Sequence, residues 1–194
     1  MGFGETTQFG AAEDYTDKKA SKSIVSKNIE RFYLSFFDMR SATVKNTNRF
    51  YEYFLIKKED KCLYHCEGGT NSNIPSDRRL ESEVFGELQG LIEDNNLAAF
   101  NGHSKRDTAL GARMTLKVDY SSKESIFIYC EGSSATFPFG FSVSVFSDFL
   151  EACDEKGEKI EDISEIYVVC PCCKEKVYIG KAWCGNCGAD IKQR

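Results

Sequence analysis

The sequence predicts an α+β protein, built on an antiparallel sheet of hairpins with helices on one face, plus a small cysteine-rich unit at the C-terminus. Three observations support this fold class: segments with alternating apolar residues, two segments with apolar residues at helical spacing, and five cysteines within the last 25 residues. With 194 residues, 41% of them hydrophobic, the chain is long enough for one ordinary domain and an appendage.

The first strands follow a polar N-terminal segment. Residues 1–28 are rich in Gly, Ser, Thr, Lys and Asp, and we expect a flexible tail there. The main domain is predicted over residues 29–153. It begins with the strand IERFYLSFFDM and continues with a hairpin, in which RFYEYFLIK and CLYHCEG flank the turn residues 58–60.

A first helix is predicted in RRLESEVFGELQGLIED, residues 78–94, behind a cap at Ser76 or Asp77. Its apolar residues recur at the spacing of one helical face. They are Leu80, Val84, Leu88, Leu91 and Ile92.

A second hairpin and a second helix follow. RMTLKVDY alternates apolar and polar residues, which is typical of a strand with one face in the core and one in water, and SIFIYCEG follows after a turn at residues 121–124. FGFSVSVFSDFLEA, residues 139–152, is predicted to be helical. Its apolar stripe consists of Phe141, Val145, Phe146, Phe149 and Leu150.

The two halves resemble each other. "YHCEGGT" at residues 64–70 and "IYCEGSS" at residues 128–134 end the second strand of each hairpin, at an offset of 64 residues. This suggests a ββα duplication. The alternative is that two independent turns share Cys-Glu-Gly.

Residues 154–165, DEKGEKIEDISE, contain six acidic residues and two lysines, which predicts a solvated acidic linker. We therefore expect a second unit over residues 166–194.

That second unit contains two C-x-x-C turns, formed by Cys170 with Cys173 and by Cys184 with Cys187. Two such turns supply the four sulfur ligands of a tetrahedral Zn²⁺, with bonds of about 2.3 Å. Four protein ligands leave no position for water or substrate, so the predicted zinc site is structural. The intervening KEKVYIGKAW is expected to form a tiny hairpin with Gly180 near its bend. A redox pair or disulfides are the alternative.

The segments "CPCC" and "AWCGNCGADI" resemble the short zinc-ribbon domain of bacterial proteins, whose pattern is C-P-x-C-G, a spacer, and F-C-x-x-C-G-A. The resemblance covers residues 168–192. Two departures stand out: Cys172 is an additional cysteine that competes as a ligand or remains a free thiol, and Lys174 replaces a glycine. The main domain is similar to α+β domains of bacterial proteins with no assigned activity, and this likeness implies no functional residues.

The clustering of the cysteines, together with the lack of a recognisable secretory signal, favours metal binding in a reducing compartment. The N-terminus lacks the basic start and apolar core of a secretory signal, and no segment has the length of a membrane helix, so we predict a cytoplasmic protein without membrane contacts.

A second metal site is conceivable at Cys62, His65 and Cys66, with His103 as a further ligand. On a strand, however, Cys62 and Cys66 share one face and His65 points to the other. This geometry favours packing of buried cysteines.

Enzymatic chemistry has few candidates. A cysteine nucleophile needs a base, and His65 and His103 are the only histidines. Glu67, Glu131 and Asp119 are available as acids or bases. A pocket that gathers His103, Glu67 and Glu131 would favour an enzyme.

Nucleic-acid binding has limited electrostatic support. The formal net charge is −5, and the +3 of residues 166–194 falls to +1 once a zinc centre with four thiolates contributes −2. Tyr167, Tyr178 and Trp183 either stack on single-stranded bases or pack a miniature core. The aromatic run FPFGF, residues 137–141, either covers the end of the sheet or rims a ligand groove.

The sequence thus predicts a non-catalytic protein-interaction or scaffolding module with a structural four-cysteine zinc site, whose ribbon contacts another protein or docks on its own body. A nucleic-acid-associated regulator that uses the ribbon is the alternative. An enzyme is a further alternative.

Overall fold

The computed structural model describes residues 12–38, 49–68, 75–162, 164, 166–179, 181 and 183–191. Within these ranges, nine strands form one sheet and two further strands form a small hairpin. The strands are β1 (Glu13–Asp14), β2 (Ile29–Asp38), β3 (Arg49–Lys58), β4 (Lys61–Gly68), β5 (Ser76–Glu81), β6 (His103–Arg106), β7 (Ala112–Tyr120), β8 (Ser125–Gly132), β9 (Glu158–Lys159), β10 (Tyr167–Val169) and β11 (Lys176–Tyr178).

The same ranges contain two α-helices and three short 3₁₀ helices. These are α1 (Val84–Asp94) and α2 (Ser147–Lys156), with 3₁₀ turns at Leu97–Phe100, Ser134–Thr136 and Val143–Phe146.

The large sheet has the order β1-β6-β8-β7-β2-β3-β4-β5-β9, and every pair is antiparallel except β6 with β8. Both predicted hairpins, β3–β4 and β7–β8, are confirmed, and they flank the central strand β2. In the two-residue turn between β3 and β4, Glu59 has a positive φ of 57°, as tight hairpin turns require.

One face of the sheet, called the inner face here, carries both helices and the main hydrophobic core. Strand β7 shows the predicted alternation, with a burial pattern that changes at every residue. Helix α1 buries Phe85, Leu88 and Ile92 against this face, and α2 buries Phe149 and Leu150. The α+β class with helices on one face of a mostly antiparallel sheet is therefore confirmed.

The predicted start of the first helix is wrong. Ser76 and Asp77 do not cap a helix; they begin β5, which pairs with β4 and extends to Glu81, and the helix starts at Val84. Leu80 still packs against the core from the strand. The hydrogen-bonding groups of the β4 edge provide the partner that turns this segment into a strand.

The second helix also starts later than predicted. Phe141 lies before the 3₁₀ turn, next to Gly140 at φ 81°, and the α-helix begins at Ser147. The apolar stripe nevertheless reaches the core, because Phe146, Phe149 and Leu150 are buried in it.

Two segments that the sequence assigns to a tail and a linker carry regular contacts. Strand β1 pairs with β6, and Ile24 packs against the core, whereas residues 1–11 of the expected tail lie outside the described residues. In the acidic segment, β9 pairs with β5 and Ile160 is buried. The domain boundaries themselves stay a prediction.

The two halves share a hairpin followed by a helix, and both Gly68 and Gly132 end their strands at φ values above 100°. Strand β5 has no counterpart after Gly132, where a 3₁₀ turn follows instead. The duplication remains a hypothesis.

The second unit lies on the opposite, outer face of the sheet. Its hairpin pairs β10 with β11 and therefore encloses the first C-x-x-C turn, whereas the sequence placed a hairpin between the two turns. Gly180 lies outside the described residues. Ile166 and Tyr178 of the unit are buried together with Phe54, Ile56 and Leu63 of β3 and β4.

No helix in the described part of the chain is both long and apolar enough to cross a membrane.

Candidate metal centre and the groove beside it

The four predicted cysteines come together at one point. The Sγ atoms of Cys170, Cys173, Cys184 and Cys187 all lie within 4.8 Å of one another. The Sγ atoms of Cys170 and Cys187 are 3.6 Å apart, and those of Cys173 and Cys184 are 3.5 Å apart. A tetrahedral ion with bonds of about 2.3 Å requires sulfur separations of about 3.8 Å. The cluster can therefore hold a metal ion.

Two equivalent backbone turns position these sulfurs. The Cys170 amide donates to Glu175 O at 2.8 Å, and the Lys174 amide donates to Cys170 O at 3.1 Å. In the second turn the Cys184 amide donates to Ala189 O, and the Gly188 amide donates to Cys184 O, both at 2.8 Å. This repeated pattern explains why two C-x-x-C sequences form matching halves of one site.

The backbone of the turns favours thiolates. The amide of Glu175 points at the sulfur of Cys173 and lowers its pKa to about 6. The Ala189 amide lowers the pKa of Cys187 in the same way, but neighbouring thiols outweigh it and raise that pKa to about 12. Four converging thiolates repel one another, so a bound cation is what allows all of them to be charged.

Cys172 does not join this cluster. Its side chain is exposed, and the group of close sulfurs comprises the other four cysteines of the C-terminal unit. Among the residues that the structure describes, this is the one group of three or more potential ligands close enough to hold an ion.

The second metal site considered at Cys62, His65 and Cys66 does not assemble. Cys62 and Cys66 face the inner core, whereas His65 points to the outer face, where it meets Tyr167 and Tyr178. The prediction that strand geometry separates His65 from the two cysteines is confirmed.

His65 instead joins the sheet to the C-terminal unit. Its ring stacks on Tyr178 with centroids 4.3 Å apart and planes at 20°, and its Nδ1 lies 2.7 Å from Asp77 Oδ1. Its Nε2 is buried, lies 3.9 Å from Glu67 Oε2 and has no hydrogen-bond partner in the part of the chain that the structure describes. Burial disfavours the imidazolium, but the carboxylates of Asp77 and Glu67 outweigh it and raise the pKa of His65.

A salt bridge makes the second connection between the sheet and the unit. Lys181 Nζ lies 2.9 Å from Glu52 Oε2 and 3.4 Å from Glu67 Oε2. The hydroxyl of Tyr33 donates to the other oxygen of Glu52 at 2.9 Å. Interaction with His65 and then with Lys181 lowers the pKa of Glu67 to about 2. A buried apolar contact and an ionic contact thus fix the unit on the sheet.

A groove of about 580 Å³ runs between the C-terminal unit and the open half of the outer face. Tyr33 and Phe54, whose ring centroids are 4.8 Å apart, belong to its lining. Phe127 of β8 and Trp183 of the C-terminal unit also line it. These two rings are 40% and 65% exposed, which is unusual for side chains of this size.

The residues considered for acid–base chemistry lie far apart. Glu67 on β4 and Glu131 on β8 are separated by four strand spacings, or about 19 Å. Glu131 is bonded to Arg113 and Tyr129, and His103 Nε2 donates to the carbonyl of Thr136 at 2.6 Å. The structure does not bring His103, Glu67 and Glu131 together, and Asp119 is paired with Lys117.

The aromatic run at residues 137–141 mainly covers the core. Phe137 and Phe141 pack against the inner cluster, as the simpler interpretation predicted, and only Phe139 is fully exposed. The run does not line the groove.

Sequence reasoning missed most residues of the groove. Lys117 alternates with buried residues on β7 and could have been assigned to the outer face, but nothing local to the sequence indicates that Lys181 reaches Glu52. The sequences of β3 and β4 did contain an indication that another unit covers the outer face. Consecutive apolar residues occupy both faces of these strands, as in strands that are buried on both sides.

Comparison with known proteins supplies no family. No protein-family model matches this chain, and no curated protein sequence matches it.

Proposed function

We propose that the four clustered cysteines bind one structural Zn²⁺ and that the C-terminal unit is a zinc ribbon. The support is the convergence of four sulfurs at tetrahedral spacing in two matching turns. Four protein sulfurs complete the coordination of the ion, so the ion stabilises the ribbon and does not bind substrate.

Elemental analysis of the reduced, purified protein tests the metal assignment. We expect one zinc per chain in the wild type and in Cys172→Ser, because Cys172 is exposed and outside the cluster. Cys173→Ser removes a ligand and should lose the ion. A protein without stoichiometric zinc, or a Cys172→Ser variant that loses it, would contradict the assignment.

We further propose that the whole molecule is a non-catalytic protein-interaction module, in which the ribbon and the sheet together form the binding surface. One observation carries this proposal: the ribbon docks on its own sheet and leaves a groove whose lining includes two exposed aromatic rings, Phe127 and Trp183, together with Tyr33 and Phe54. Exposed aromatic residues beside a concave apolar surface are typical of sites that bind protein segments.

Site-specific photo-crosslinking in cells tests this role. A photoreactive phenylalanine analogue at position 183 should form adducts with one or a few proteins, because this position lines the groove. The same analogue at position 139, which is fully exposed and is not among the residues that line the groove, is the matched control. If position 183 gives no adduct beyond those at position 139, the interaction role is wrong.

A nucleic-acid role has one supporting observation, the exposed Trp183 beside Lys117 and Lys181. Both lysines are already paired with carboxylates, at Asp119 and at Glu52. Phosphate binding requires several available cations, so the groove suits a polyanion poorly. Crosslinks from position 183 to RNA or DNA in the same experiment would instead favour the nucleic-acid role over the protein-interaction role.

A further inference from the structure

Residues 13–22, called the strap here, run along the edge of β6 that faces away from β8. Two main-chain hydrogen bonds continue the short pairing of β1 with β6. The amide of Tyr15 donates to Ser104 O at 2.8 Å, and the amide of Asp17 donates to Gly102 O at 2.9 Å. The strap therefore covers main-chain groups of this sheet edge.

Gly102 is the residue that lets the strap approach so closely. Its φ is 78°, and an added Cβ would lie 2.6 Å from Ala20 Cβ and 2.7 Å from Asp17 O. Both the conformation and the lack of space favour glycine at this position. The sheet edge is thus shaped to receive the strap.

Asn101 connects the strap to Phe127 of β8, which lines the groove. Its Nδ2 donates to Ser21 O at 2.9 Å, and its Oδ1 accepts the amide of Phe127 at 2.8 Å. The ammonium group of Lys22 donates to the carbonyl of Asn101, and the amide of Gly102 donates to Phe127 O at 2.8 Å. The two residues that bind the strap therefore also hold both main-chain hydrogen-bonding groups of Phe127.

The strap has few of the contacts that resist local opening. None of residues 12–28 is buried. Ion pairs join Glu13 to Arg106 at 2.6 Å and Asp14 to Lys105 at 3.4 Å, and these four side chains are between 32% and 54% exposed. Exposed ion pairs stabilise a contact only slightly. Segments with such contacts open locally while the rest of a domain stays folded.

The chain is attached to the body again just after the strap. Ile24 packs against the inner core, and the carboxylate of Glu124 accepts the amides of Val25 and Ser26, both at 3.0 Å. The strap can therefore open while residues 24–28 stay in place.

We propose that the strap is a clamp that regulates the groove. When the strap is closed, Asn101 and Gly102 hold Phe127 in the groove lining, and the groove binds its protein partner. When the strap opens, the buried side chain of Asn101 loses one of its two partners, Phe127 becomes mobile, and the partner binds more weakly. This inference rests on the proposed interaction role and adds its regulation.

Proline at position 17 opens the strap without altering Asn101 or Phe127. Asp17→Pro removes the amide that donates to Gly102 O. Lys18→Pro is the matched control. Lys18 is the second residue of the turn that the bond from the Ala20 amide to Asp17 O closes, and proline is favoured there.

Hydrogen exchange in the zinc-loaded, full-length variants measures the coupling. In Asp17→Pro the amide of Phe127 should exchange about fivefold faster than in the wild type, along with the amide of Tyr15. Lys18→Pro should match the wild type, and the amides of β2 and β7 should be unchanged in both variants. The proposal would be overturned if the strap stayed protected in Asp17→Pro, if it opened without an effect on Phe127, or if β2 and β7 lost protection equally.

Crosslinking from the photoreactive analogue at position 183 measures the effect on the partner. The yield of protein adducts should fall about fivefold in Asp17→Pro and stay unchanged in Lys18→Pro. Equal yields in the two variants would refute regulation by the strap alone. Absence of protein adducts in every variant would refute the interaction role, and exchange of the Phe127 amide would still show whether the strap holds this residue.

A substitution at the connecting residue gives an independent check. Asn101→Ala should lower both the protection of the Phe127 amide and the yield of adducts. Asn95→Ala removes the same kind of bond, from Nδ2 to Leu91 O at 2.8 Å, at a residue that does not line the groove. It should leave both measurements unchanged, and equal effects of the two substitutions would contradict the role of Asn101.

Discussion

Lys174 and Gly188 occupy the same position in the two cysteine turns, and both adopt a left-handed conformation, with φ of 64° and 72°. In this conformation a lysine is less favourable than a glycine by about 1 kcal/mol. The zinc-ribbon resemblance implies a glycine at position 174. The lysine that stands there therefore strains the first turn.

We predict opposite effects for exchanges at these two positions. Lys174→Gly should stabilise the ribbon by about 1 kcal/mol, and Gly188→Ala should destabilise it by a similar amount, although no atom of the described residues crowds the added Cβ. Hydrogen exchange of ribbon amides in the zinc-bound protein measures both effects, as a rise and a fall in protection of about fivefold. Changes of the same sign would show that φ does not decide the outcome.

His65 makes the contact between ribbon and sheet dependent on pH. Its pKa in the folded protein is raised above the value of about 6.5 typical of an unfolded chain. The stabilisation from the Asp77 and Glu67 carboxylates is therefore complete below about pH 6.5, and it is lost as pH rises through the raised pKa.

The free energy of unfolding of the wild type and of His65→Gln, measured in excess zinc from about pH 6.5 to about pH 9, tests this dependence. The difference between the two proteins should be largest at the acidic end of this range and should shrink towards the alkaline end. Titration of the thiols affects both proteins and cancels in the difference. A difference that stays constant, or an imidazole that titrates below about pH 6.5 by NMR, would contradict the prediction.

At the scale of elements, the ribbon docks through β11 and the outer faces of β3 and β4. Tyr178 is the central residue of this contact, because it packs on both Phe54 and His65. Its hydroxyl, however, is buried and has no hydrogen-bond partner among the described residues, and such a group costs about 1 to 3 kcal/mol. The same residue therefore stabilises docking through its ring and weakens it through its oxygen.

Two substitutions separate these contributions. Tyr178→Phe keeps the ring and should raise the free energy of unfolding by about 1 kcal/mol, whereas Tyr178→Ala should lower it by about 3 to 5 kcal/mol. Urea denaturation of the zinc-bound variants gives both values. A clearly destabilised Tyr178→Phe would mean that the hydroxyl has a partner, such as a bound water.

The sequence was informative about elements that depend on local pattern and less so about those that depend on distant partners. Strand β7 was predictable because its residues alternate, and the four clustered cysteines because their spacing repeats. Strand β5 was mistaken for helix since Leu80 fits both patterns, and only the neighbouring edge of β4 decides between them. The sequence analysis named docking of the ribbon on its own body as one option, but it did not indicate the place of contact, because the stacking of Tyr178 on His65 joins residues 113 positions apart.

At the scale of the whole molecule, one sheet carries two separate hydrophobic layers. The inner layer contains both α-helices and most of the buried side chains. The outer layer is smaller and consists of Phe54, Ile56 and Leu63 under Ile166 and Tyr178, with Ile160 of the acidic segment beside them. The inner layer is built from residues outside the C-terminal unit, whereas the outer layer includes Ile166 and Tyr178 of that unit, so we expect only the outer layer to depend on a bound ion.

Chelation of zinc should consequently unfold the ribbon and spare the sheet. A ribbon of under thirty residues has too little core to fold without its metal, so its amides should lose their protection against hydrogen exchange. The amides of β2 and β7 should remain protected, because the helices still cover the inner face. Uncovering of Phe54 and Leu63 should increase the binding of a hydrophobic dye, and restored zinc should reverse the increase.

Cys173→Ser should reproduce the chelated state without chelator, while Cys172→Ser should behave as the wild type. Loss of protection throughout the sheet on chelation would show instead that the two layers fold as one cooperative unit and that zinc stabilises the entire molecule.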